Sequence, residues 1–129
     1  MTQENKDLLL KDLSARLPYG VKLGFYASAT KQTLICTLLG LEPQEDEPVI
    51  AKTENGSFYM LAGNVKPYLF PMSSMTHKQK AELSMLVVGE GDLFKAFLIE
   101  VEFYHKHHID YRGLIPKGLA LDATNLNIY

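Results

Sequence analysis

The chain has 129 residues, 47% of them hydrophobic and 22% charged, with a formal net charge of -2 and one cysteine, Cys36. That length suits one domain with a real core. The charge argues against broad electrostatic capture of nucleic acid, although a local basic patch fits the same composition. One cysteine removes an internal disulfide and any multi-cysteine zinc site, and the apolar neighbours of Cys36 mark it as a small buried hydrophobe.

The N-terminus, MTQENKD, has no basic start followed by an apolar run. No apolar run reaches the roughly 18 residues of a membrane span. The expectation is a cytoplasmic protein with no membrane partner. Thr2 or Asn5 opens a first helix in which Leu9, Leu10, Leu13 and Leu17 recur at helical spacing, and Pro18 ends it. From Val21 the period changes. Val21, Leu23 and Phe25 alternate with Lys22, Gly24 and Tyr26, which is a strand pattern. Residues 28–31 form a turn, and Gln32–Leu41 is apolar enough for a strand covered on both faces. The acidic, proline-bounded residues 42–48 read as a solvated loop, since they have neither the regular oxygen spacing nor the turn glycine of a calcium site.

Residues 49–54 and 57–62 flank Asn55-Gly56, the strongest hairpin signal in the chain, with positive φ expected at both positions. Pro67 and Pro71 confine a further strand over residues 64–71 to a sheet edge or exit. Thr76 and Gln79 fit a capping box that starts a helix through about Val88. Asp92 caps a second helix, in which Phe94, Phe97, Leu98, Val101, His105 and His108 form one stripe. Ala96, Ile99 and Phe103 make a second apolar face. A helix apolar on two faces needs two coverings, one expected from the domain's own sheet and the other from the C-terminal segment, another helix or a second copy. The helix ends near residues 108–111, with Gly113 as a left-handed residue beyond. Leu114, Ile115 and residues 119–121 should fold back onto the core.

These elements predict an α+β domain over residues 1–123, with residues 124–129 as a flexible tail. Its order is an N-terminal helix, a small antiparallel sheet or partial barrel of three to five strands, then two C-terminal helices.

No catalytic signature is present. Ser73, Ser74 and Thr76 lack a surrounding G-x-S-x-G or S-x-x-K and suit capping, and Gly89-Glu90-Gly91 follows a helix instead of a strand. The histidines offer one candidate metal set, His105 and His108 at i, i+3 with Asp110, while His107 points away. Tyr111 and Arg112 are candidates for holding an anion, against a structural reading in which Asp110 pairs with Arg112 or caps Leu114-Ile115. Ile99 and Phe103, with the aromatic segment that holds Tyr68 and Phe70, are candidates for a protein contact.

Residues 17–22 (LPYGVK), 66–76 (KPYLFPMSSMT) and 107–123 (HHIDYRGLIPKGLALDA) resemble short uncharacterised proteins of gut Bacteroidales genomes and their phages and mobile elements. Those proteins often carry a basic residue where Phe70 stands here. The resemblance implies an accessory protein and brings no activity, cofactor or catalytic residue. With no catalytic signature in the residues, the expected function is non-enzymatic protein binding, to a second copy or another protein, with no cofactor. Two alternatives stand beside it: a metal-binding or metal-assisted hydrolase domain on His105, His108 and Asp110, and nucleic-acid binding through Lys22, Lys31, Lys52 and Lys66.

Overall fold

The computed structural model describes residues 1–129 as an α+β domain. Helix α1 (Gln3–Arg16) starts at Thr2, whose hydroxyl accepts from the Asn5 N–H at 3.1 Å. It ends where Pro18 enters a short 3-10 turn and Gly20 takes a left-handed φ of 68°. Strands β1 (Lys22–Ala27), β2 (Gln32–Leu41), β3 (Val49–Thr53) and β4 (Gly56–Met60) run as an antiparallel meander, and β5 (Val65–Pro71) returns to pair antiparallel with β1. Helices α2 (His77–Val87) and α3 (Leu93–Lys106) follow. The two-residue strands β6 (Ile109–Asp110) and β7 (Leu121–Asp122) add parallel pairings to β5.

The sheet therefore has seven strands in the order β4-β3-β2-β1-β5-β6, with β7 also on β5, and is mixed. It holds more strands than the three to five expected because β6 and β7 are too short to leave a sequence signal. β5 is an interior strand, so its prolines do not place it at an edge. Pro67 stands opposite Leu23 in the last β1–β5 pair, after which the two strands part.

The main core lies on the inner face of the sheet. Leu9, Leu10 and Leu13 of α1 pack with Val21, Leu23, Cys36, Leu38, Val49, Ala51, Val65 and Leu69, and the returning Leu114, Leu119 and Ala120 close the cluster. Burial pushes the Cys36 thiol pKa up, as for an inert core thiol. β2 is covered on this face only. Its outer residue Ile35 is half exposed, and Leu39 lies exposed where a bulge between Leu38 and Gly40 shifts the register. The hairpin expected at Asn55-Gly56 forms, with Thr53 opposite Gly56, but only Gly56 takes a positive φ. The Thr53 hydroxyl accepts from the Asn55 N–H and donates to the Gly56 carbonyl, which holds the turn without a left-handed Asn55.

The capping box of α2 is complete, and Asp92 caps α3 by accepting from the Phe94 and Lys95 N–H groups. The stripe of α3 does not pack on the sheet. Leu93, Phe94, Phe97 and Leu98 are exposed, and the buried residues of this helix are Phe103 and Tyr104. These two form a small second cluster with Ile109, bordered by Met75, Leu83 and Tyr111. The hairpin of α2 and α3 is thus held to the domain at the C-terminal end of α3.

Candidate functional site

The last turn of α1 and residues 104–115 meet at a buried charged cluster. Asp12 and Arg16 are both fully buried, and Arg16 Nε donates to Asp12 Oδ2 at 2.8 Å. Arg112, a quarter exposed, donates from Nε to Asp12 Oδ1 at 3.2 Å. The Arg16 guanidinium also donates to the carbonyls of Tyr104 at 3.5 Å and Ile109 at 2.7 Å, so α1 grips the end of α3 through one side chain. Tyr111 lies among these charges. The guanidinium carbons of Arg16 and Arg112 stand 5.6 Å and 5.0 Å from its ring centroid, and the Tyr104 ring stacks at 5.6 Å.

The sequence marked Tyr111 and Arg112 but passed over Asp12 and Arg16. The signal was there, since Asp12 is i+3 from Leu9 and Arg16 is i+3 from Leu13. Both sit on the apolar stripe at a spacing that lets them pair. Arg112 is turned to Asp12 through its Nε, with its side chain still a quarter exposed.

The three candidate metal ligands each have other work. His105 Nε2 lies 2.6 Å from the Tyr111 hydroxyl. Both carboxylate oxygens of Asp110 accept backbone N–H bonds, from Leu114 at 2.8 Å and Ile115 at 2.9 Å, which is the capping role weighed for it. His108 takes a left-handed φ of 58° just past α3 and stacks on Tyr129 at 3.7 Å. No group of three or more His, Cys, Asp or Glu side chains stands at metal-binding spacing. His77 is exposed at the start of α2, away from the cluster.

Burial, reinforced by the Arg16 charge, lowers the pKa of both His105 and His108, the latter to about 4. Burial raises Tyr111. The lowered values favour neutral rings at neutral pH, His105 hydrogen-bonded to Tyr111 and His108 stacked on Tyr129. The Nδ1 of His108 and the Nε2 of His107 are buried without a partner. Ser74 donates its hydroxyl to the Pro71 carbonyl, and the Thr76 hydroxyl accepts from the Gln79 N–H to cap α2.

The end of the chain joins the same region. The Tyr129 hydroxyl accepts from the Lys22 N–H at 2.8 Å and donates to the Tyr68 carbonyl at 2.7 Å. Lys22 and Tyr68 are the next opposed residues along the β1–β5 register, past Leu23 and Pro67. The hydroxyl thus fills the gap where the strands separate, and burial raises its pKa to about 12. The segment expected as a free tail ends on this contact.

Of the expected interaction residues, Phe103 and Tyr68 are buried by the chain itself, and Ile99 and Phe70 are partly covered. Exposure lies elsewhere. Met85 and Leu86 of α2, Val88 after it, and Leu93, Phe94, Phe97 and Leu98 of α3 are 50% to 86% exposed. The outer sheet face is a second open surface. The register places Lys22, Lys52 and Lys66 there with the half-exposed Tyr26, while Lys31 sits in the β1–β2 turn. No helix is long and apolar enough to cross a membrane. No protein-family model, curated protein or solved structure matches the chain.

Proposed function

We propose that this protein is a non-enzymatic protein-binding module that assembles with a second copy through the α2–α3 hairpin. One observation carries the reading: seven large apolar side chains on this hairpin are half or more exposed, and α2 has no buried residue at all. Isolated exposed apolar residues are normal, but a set of this size on one hairpin is not. Exposed apolar side chains of this number on neighbouring helices supply the kind of apolar surface that an interface covers. Phe94, Phe97 and Leu98 share one side of α3 at i, i+3, i+4 and supply aromatic anchors. The hairpin's charges are mixed, with Lys78, Lys80 and Lys95 beside Glu82, Glu90 and Glu102, so two copies can meet without a single-sign repulsion. The resemblance to accessory proteins of Bacteroidales and their phages fits a binding role. Sedimentation velocity across a concentration series tests it. The wild type should pass from monomer to dimer, and Phe94→Glu/Phe97→Glu should stay monomeric with the melting temperature of the dilute, monomeric wild type. A wild type that stays monomeric to millimolar concentration overturns self-assembly.

The outer sheet face favours a second partner class, single-stranded nucleic acid, because Lys22, Lys52 and Lys66 share it with Tyr26. Such binding should weaken steeply with salt and drop on Lys52→Glu; binding to an oligonucleotide that ignores salt removes it.

A further inference from the structure

The inner face of the sheet is roofed at one end only. α1 packs over Val21, Leu23 and Cys36, while further along the same face Phe25, Leu34, Phe58 and Leu61 line an open groove of about 500 Å³. The groove follows β4, which is an edge strand, so one side of its backbone has no partner in the sheet. Glu47 lines the groove, and the β2–β3 loop brings Glu42, Glu45 and Asp46 around Tyr59 beside it. No lysine or arginine lines either hollow.

We propose that this groove and the β4 edge bind an extended segment of another protein, apolar at alternate positions and basic at one flank, which adds to the sheet as a further strand. Successive side chains of a strand point to opposite faces, so every second residue of such a segment would drop into the groove while its backbone pairs with β4. The groove volume lies within the roughly 300–1,000 Å³ of ordinary binding sites, and its apolar wall supplies the burial. The acidic loop selects lysine and arginine and repels acidic segments. This inference rests on the protein-binding reading but uses a face separate from the hairpin, and it does not require the dimer.

Selection of random nine-residue peptides displayed on phage, against the full chain, tests it. Enriched sequences should alternate apolar residues and carry lysine or arginine. A synthetic copy N-methylated on one set of alternate residues should bind at least about tenfold more weakly, while the copy methylated on the other set keeps its affinity. Leu34→Glu, on an exposed side chain, should abolish binding without lowering the melting temperature. Glu45→Lys/Glu47→Lys, in a solvated loop, should weaken it about tenfold and remove its salt dependence. Enrichment of acidic or non-alternating sequences overturns the proposal, as does equal binding by Leu34→Glu. No enrichment alongside a concentration-dependent dimer removes the groove and leaves the hairpin reading intact, whereas a groove binder on a strict monomer does the reverse.

Discussion

The α1–sheet core buries its large apolar side chains, whereas the α2–α3 hairpin leaves most of its own in solvent. In the core, three leucines of one helix face a sheet whose inner residues, Leu23, Cys36, Leu38, Val49 and Ala51, are all buried. In the hairpin, two helices rest on each other and touch the rest of the domain through Phe103 and Tyr104, while Phe94 and Phe97 stand in solvent. The difference teaches that an apolar stripe announces a surface to be covered, not what covers it. Arg16 is the joint between the regions, since it belongs to α1 yet bonds the carbonyls of Tyr104 and Ile109.

The largest expected effect breaks that joint. Asp12→Ala leaves the buried Arg16 guanidinium without its carboxylate and should cost about 3–5 kcal/mol by urea denaturation. A loss below about 1 kcal/mol would mean that water reaches Arg16 and that the joint is not a dry contact.

Acid should act next. Folding holds His108 at about 4, below its ordinary value near 6.5, so between these limits the unfolded chain binds a proton that the folded chain refuses. Stability from this group is full above about pH 6.5 and falls as the pH drops towards 4, by on the order of 2–3 kcal/mol. His105, also lowered, adds in the same direction. Denaturation midpoints at pH 7.5 and 4.5 should therefore spread more for wild type than for His108→Asn, which also tolerates the left-handed backbone. Equal spreads would place the acid sensitivity in other groups.

Removing one oxygen at the chain's end should have a smaller effect. Tyr129→Phe strips the Lys22 N–H and Tyr68 carbonyl of their shared partner and should cost about 1–3 kcal/mol. No change would mean that water takes the hydroxyl's place between β1 and β5.

The smallest effect sharpens the comparison. At concentrations where the chain is monomeric, Phe97→Glu should change stability by less than about 0.5 kcal/mol, whereas Leu13→Ala should cost about 2–5 kcal/mol. Hydrogen exchange should also find the amides of α2 opening at lower free energy than those of β1 and β2. Equal protection in a monomer would show that the hairpin is as firmly held as the sheet.

Local periodicity and punctuation made most of the fold legible. The leucine stripe of α1, the alternation of β1, the capping box at Thr76, the cap at Asp92 and the hairpin at Gly56 are all short-range patterns, and each stands where the residues place it. The site was legible in part. Asp110 caps as its position after a helix suggests, and the residues around Tyr111 do gather. The partners of that gathering were not legible, because Arg112 meets Asp12 across a sequence separation of 100 residues and no local rule spans it.

The sequence by itself determined where the three α-helices and the five longer strands lie, and which residues had to seek apolar cover. Tertiary structure alone decided which apolar face was covered. Phe103 is buried because Ile109 turns back beside it, and Phe94 is exposed on a side of α3 that neither buried cluster covers. It also decided that β5 is an interior strand and that a terminal tyrosine bridges its parting from β1. Periods of 2.0 and 3.6 act over a few residues, whereas burial depends on contacts between segments that those periods cannot relate.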